Sequence, residues 1–277
     1  MRIACCVFVI LTASLLLAAP KARAVYDRDG PYLDYSTLYA LGVHGVIPRS
    51  EYPFGSFYTP VTVAQYGLQA AAAHVVTGRR AYRADALNAA DWLVRHQKTD
   101  GGWRYHFAFT VAGFPSLRAG WISAMGQGQA MSLLWRAHRL RPRAGYRRAA
   151  LMALRPFERS VNSGGVVADF EGVPWYEEYP TRPGSHVLNG YLFSLLGLYD
   201  IAPWARRASH LFRRGVASLR ARISRFDRPG GSYYLPGLPA SNYYNRVHVD
   251  LLGAIDYLRP SPRLQRYRAR WWQWTVR

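Results

Sequence analysis

Long helical patterns recur along this chain in pairs, and the pairs keep step with one another. Aligning Gly67, Gly128, Gly190 and Leu252 gives spacings of 61, 62 and 62 residues. A self-similar period of this kind marks one supersecondary unit repeated, each copy unable to bury its apolar face alone. The first helix of each pair covers 63–78, 121–140, 186–202 and 248–258, and is apolar and rich in small residues. The second covers 81–97, 146–161, 208–226 and 262–276, and is amphipathic with an arginine-rich face. Helices that are apolar all round belong inside, and helices with a charged face belong outside. The pattern predicts an all-α fold, an incomplete α/α toroid of about four helical hairpins. Glycine weakens a helix, so glycines at matching places in the inner helices mark close approach of a neighbouring backbone or a ligand.

Between the pairs lie turn-rich segments at 98–109, 164–185 and 227–246, each leaving an outer helix and entering an inner one. Two of them, GGWRYHF and GGSYYL, read as short β-hairpin arms. In a ring of hairpins these connections gather at one end, where loops on a rigid scaffold can build a cleft. The stretch WYEEYPTRPGS (residues 175–185) is one such rim loop, and it places two acids between two tyrosines at the mouth of a core helix.

The chain opens with Met1 and Arg2, an uncharged apolar run over 3–19, and the small-x-small triplet Ala22-Arg23-Ala24. This predicts a signal peptide over 1–24 and a single domain over 25–277, secreted or extracytoplasmic. An uncleaved membrane anchor is the alternative. Both cysteines, Cys5 and Cys6, fall in the leader, so a mature chain needs no disulfide, thiol nucleophile or cysteine-based zinc site. The formal charge is +20, of which the leader carries Arg2, Lys21 and Arg23. Beyond the leader Lys98 is the only lysine, so the basic charge is arginine. Arginine forks onto carboxylates and sulfates, which points to a polyanionic partner. With an export signal, that partner is an acidic polysaccharide or the cell surface and not nucleic acid. The terminal RYRARWWQWTVR reads as an outer helix closing the domain, with a membrane-surface role as its alternative. A homodimer is left open.

Candidate contacts follow from the rim position. Gln127, Gln129 and Asn189 stand near the starts of inner helices, where buried amides either bond sugar hydroxyls or tie helices together. Trp103 and Tyr105 could stack on sugar rings. Glu177 and Glu178 are adjacent, and adjacent acids rarely straddle a glycosidic bond as a glycosidase pair must. No HExxH, acidic calcium loop or phosphate-cradling glycine pattern occurs, so no metal or cofactor is expected.

WYEEYPTRPGSHVLNGYLFSLLGLYD (175–200) resembles the C-terminal domain of the D-glucuronyl C5-epimerases, as do LRAGWISAMGQGQAMSLLWRAH (117–138) and PVTVAQYGL (60–68). The resemblance is colinear and implies an incomplete α/α toroid that inverts C5 of glucuronate in a polysaccharide such as heparosan, giving iduronate. It implies catalytic Tyr179 with Glu178 before it, Tyr234 after the glycine-rich hairpin, and Tyr244 with His248. The family pattern has an arginine three residues after the hairpin tyrosine; here that position is Gly237, and Arg182 or Arg246 would have to replace it. The chemistry suits such residues. Loss of the C5 hydrogen builds charge on the adjoining carboxylate, which must be stabilised. Two acid–base groups must flank C5, one on each face. A tyrosine is a poor base at neutral pH unless a nearby cation lowers its pKa. A lyase using the same proton removal, and a non-catalytic binder of acidic glycans, remain open.

Overall fold

The computed structural model describes residues 26–33 and 43–275; the leader expected over 1–24 lies outside the described residues. Eight α-helices form among them: α1 (Pro60–Thr77), α2 (Arg80–His96), α3 (Ala124–Leu140), α4 (Ala144–Met152), α5 (Leu188–Asp200), α6 (Arg206–Arg222), α7 (Asn242–Leu258) and α8 (Pro262–Trp272). Their starts follow local chemistry. Thr59, Ser123, Ser241 and Ser261 each accept a backbone N–H from the first turn of α1, α3, α7 and α8. Pro60 and Pro262 stand at first-turn positions where no N–H is needed. Gly78 ends α1 in the left-handed region at φ 70°.

The helices pack as the repeat predicts. Each odd-numbered helix lies on its even-numbered successor, and α1, α3, α5 and α7 form a row in which each touches the next. Among the described residues α7 makes no contact of comparable extent with α1, so the row is open. One buried core runs from Tyr26 to Trp271. The aligned Gly128, with Gly197 opposite it, allows a close backbone contact within it. A Cβ on Gly128 would lie 2.5 Å from the Ser194 Cα, and one on Gly197 would overlap the Gly128 carbonyl. The α3 and α5 backbones therefore touch. At the far end of these helices, Tyr26 donates to Asp200 and Arg136 pairs with the same carboxylate at 2.9 Å, which fastens the segment 26–33 to the core.

Three small sheets decorate the rim: β1 (Ser50–Tyr52) with β2 (Gly55–Phe57), β3 (Val167–Phe170) with β4 (Val173–Tyr176), and β5 (Asp227–Arg228), β6 (Gly231–Leu235) and β7 (Leu238–Pro239). GGSYYL forms β6 as expected, whereas GGWRYHF forms no regular strand. Its segment is held instead by isolated bridges, Tyr105 to Trp121 and Phe109 to Leu117. The β1–β2 hairpin enters α1 as β3–β4 enters α5 and β5–β7 enter α7.

Candidate active site

The rim loop before α5 is fixed from both sides. The β3–β4 hairpin turns at Glu171 and Gly172, both at positive φ, and delivers the chain to Glu177. The Glu177 N–H donates to Val166 O at 2.7 Å, and its carbonyl accepts from the Ala124 N–H of α3 at 2.9 Å. The buried Glu177 side chain accepts from the His186 N–H at 2.9 Å and lies 2.6 Å from the His186 ring. It also accepts from Ser185 Oγ at 3.1 Å. Glu177 is therefore a clamp on its own loop, and neither acid pairs with Arg182.

Glu178 points the other way, onto the start of α5. There is no room between it and Gly190: a Cβ on that glycine would overlap Glu178 Oε2. The carboxyl is buried and its Oε2 lacks a hydrogen-bond partner. Burial pushes its pKa up to about 7, aided by the charge of Glu177, while Tyr179 and the Gly190 N–H favour the ionised form. The helix N-terminus attracts the anion, but desolvation wins.

Around this acid the fold gathers phenols from five separate segments. Tyr52 comes from β1, Tyr105 from the bridged loop, Tyr179 from the rim, Tyr234 from β6 and Tyr244 from the first turn of α7. Glu178's charge raises the pKa of each, on top of a larger effect of burial. Tyr179 and Tyr234 share a hydrogen bond. The Tyr234 and Tyr244 rings lie 4.7 Å apart. Tyr179 stacks on Phe109 at 5.3 Å, and Tyr105 on Trp121 at 3.8 Å. Tyr52 packs against Phe54 and Phe107, which extends an aromatic wall outward to the half-exposed Phe54. Among the described residues, no cation lowers the pKa of any of these phenols. The cluster is an acid–base centre of one carboxyl near neutral pKa and several phenols that stay protonated.

Residues 96–273 match the family described as D-glucuronyl C5-epimerase C-terminus. The chain belongs to this family. It is 36% identical over 221 residues to the D-glucuronyl C5-epimerase of Caenorhabditis elegans, a match covering 71% of this chain and 36% of that protein. The chain thus spans about a third of the nematode enzyme's length. An uncharacterized protein of Methanocaldococcus jannaschii is 26% identical over 153 residues, covering 53% of this chain and 49% of that one. Among solved structures, the unsaturated glucuronyl hydrolase of Bacillus sp. GL1, described as responsible for the degradation of glycosaminoglycan, superposes with a TM-score of 0.52. At 21% identity, over 78% of this chain and 60% of that one, it shares the helical fold.

Within this epimerase-family domain, the structure brings together Glu178, Tyr179, Tyr234, Tyr244 and Tyr105 and gives several other candidates different work. Trp103 is buried, donates its indole N–H to Leu93 O at 2.8 Å, and offers no face for stacking. Gln127 is fully engaged, accepting from Trp103 N–H at 2.9 Å and donating to Gly101 O and Ala153 O. It ties α3 to the loops beneath it. Gln129 is buried with neither amide atom bonded. Asn189 is buried beside Gly190, its Oδ1 also without a partner. Arg182 is exposed and donates to Val161 O at 2.7 Å. Arg246 lies on the exposed face of α7 against Asp250. His248 is wholly buried, bonded to Ser232 Oγ at 2.8 Å, and desolvation lowers its pKa to about 3. It is neutral at physiological pH and supplies no positive charge. Gly237 sits at φ 87° between β6 and β7, a backbone region that disfavours arginine. Tyr52 is the member that sequence reasoning missed. Its only local signal is a glycine flanked by alternating aromatics in SEYPFGSF.

Proposed function

We propose that this chain, an open arc of an α/α toroid, epimerises D-glucuronate to L-iduronate at C5 within an acidic polysaccharide such as heparosan. The observation that carries the reading is the buried Glu178 carboxyl at about 7, set among protonated phenols. Glu178 takes the C5 proton from one face, and the electron pair passes into the sugar carboxylate. A phenol from Tyr179, Tyr234 or Tyr244 then delivers its own proton to the other face, which re-forms the C5–H bond with inverted configuration. This leaves a protonated Glu178 and one tyrosinate. The Tyr179–Tyr234 hydrogen bond beside Glu178 offers the route by which that proton returns. Raised phenol pKa values suit this order of events, since the tyrosines begin as acids and not as bases. The arginine expected to activate a tyrosine is not needed, and phenolic O–H groups can donate to the developing charge. The leader-like segment supports export of the protein.

Removal of the same proton followed by loss of the C4 oxygen would make the protein a lyase, and the protonated phenols would serve as acids there as well. Incubation with heparosan in D2O, followed by NMR, separates the two. Epimerisation gives deuterium at C5 together with iduronate signals. Olefinic uronate signals in their place would establish elimination and reject the proposal.

A further inference from the structure

The outer helices α4 and α6 carry a charged surface that is no part of the tyrosine cluster. Two grooves lie there, of about 430 Å³ and 400 Å³. The first is lined by Arg206, Arg207, His210 and Arg214 of α6 with Glu158, the second by Arg147, Arg148 and Arg155 with Arg207 again. Arg207 belongs to both, so the grooves adjoin. Glu158 is the only acid among the residues lining them, and Arg207 already holds it in a two-pronged ion pair. Among the described residues, Arg147, Arg148, Arg206 and Arg214 are exposed and have no ion-pair partner. The basic run also leads toward the cleft. Arg159 follows Glu158, and Arg182 of the tyrosine rim loop bonds Val161 two residues further on.

We propose that this arginine face is a binding site for a linear polyanionic polysaccharide, separate from the tyrosine cluster. Unpaired arginines spread over about 12 Å of α6 match a polymer with carboxylates or sulfates at intervals, because each guanidinium can fork onto one anionic group. Other anions fit less well. No phenylalanine, tyrosine or tryptophan lines either groove, and His210 is the one ring there, whereas single-stranded nucleic acid binding relies on a series of stacked bases. The exposed large hydrophobic side chains all lie off α4 and α6, so nothing on this face would enter a bilayer. The proposal requires no catalytic activity and stands or falls apart from epimerisation.

The test compares two variants that lose equal charge. One removes Arg147, Arg148, Arg206 and Arg214 by substitution with glutamine. The other removes Arg79, Arg80, Arg263 and Arg266, which lie on or directly before other outer helices, in the same way. Affinity for fluorescently labelled heparosan polymer is measured by anisotropy over a series of salt concentrations. The first variant is expected to bind about tenfold more weakly with a shallower salt dependence, by the logic of counterion release. The second should stay within about twofold of the wild type. The doubles R147Q/R148Q and R206Q/R214Q should each lose part of the affinity, which keeps the test valid if the quadruple variant folds poorly. Equal losses in the two quadruple variants, or no loss in the first, would overturn the proposal. So would wild-type binding to duplex DNA, or to phosphatidylserine vesicles, that equals or exceeds binding to heparosan at the same salt.

Discussion

Glu178 sits where burial and helix geometry pull in opposite directions. The start of α5 favours its anion, yet desolvation raises its pKa to about 7. Because the folded value lies above the ordinary carboxylate value of 4.5, the fold is most stable with the proton on. That stability is fully present below about pH 4.5 and is lost as pH rises through 7. Glu178→Gln should therefore unfold at higher temperature than the wild type at pH 8, by the equivalent of about 3 kcal/mol. The difference should disappear at pH 4, and C5 exchange should be abolished throughout. Calorimetry at the two pH values checks the stability claim. Gly190→Ala carries a related prediction. Its Cβ must push the Glu178 carboxyl aside, so activity should fall at least about a hundredfold while circular dichroism stays helical. At this scale the sequence is informative where residues act inside one segment, as Glu178 and Tyr179 do. It is silent where distant segments meet: Gln127 looked free to bind a sugar until the Gly101 and Ala153 carbonyls came beneath it.

The helices read clearly in the sequence because apolar pattern, caps and spacing all agree. Six of the eight fall near the predicted ranges, but α4 stops at Met152, well short of 161, and α7 begins at Asn242, well before 248, so Tyr244 stands within the helix and not ahead of it. Ser241 illustrates the link from cap to site. Its side chain accepts from the Tyr244 N–H, which fixes both the start of α7 and the position of that phenol. Ser241→Ala should cost about 1 kcal/mol in stability and lower kcat more than it raises KM, measured by denaturation and steady-state kinetics. Between helices, Gly128 and Gly197 let α3 and α5 touch. Gly197→Ala should destabilise the protein by about 3 kcal/mol, seen as a lowered urea midpoint. The repeat gave no warning of the β1–β2 hairpin. It lies before α1 as β3–β4 lies before α5 and β5–β7 before α7, but the internal alignment rests on the helices, so it could not place Tyr52 beside Glu178.

Across the whole molecule, the division of labour follows from the packing. Inner helices form a rigid row, the rim loops at their starts collect the acid and the phenols, and arginines face outward on the second helix of each pair. The far end is closed by the buried Tyr26–Asp200–Arg136 group. Asp200→Ala would strand the Arg136 charge in the core and should cost about 4 kcal/mol, with segment 26–33 becoming protease-sensitive. The net charge could be read from composition, and its place on the outer helices from their amphipathic pattern. The sequence suggested arginines serving the tyrosines, whereas the folded cluster holds no cation that acts on them. In the proposed mechanism that difference moves the basic role from a tyrosine to Glu178. The most direct measurement is the rate of C5 deuterium uptake into heparosan from about pH 5 to about pH 9. A single ionisation with its midpoint near pH 7, the rate rising as pH increases, is the predicted result for a Glu178 base. A midpoint near the ordinary carboxylate value, or a rate that climbs only in the range where free phenols ionise, would contradict it.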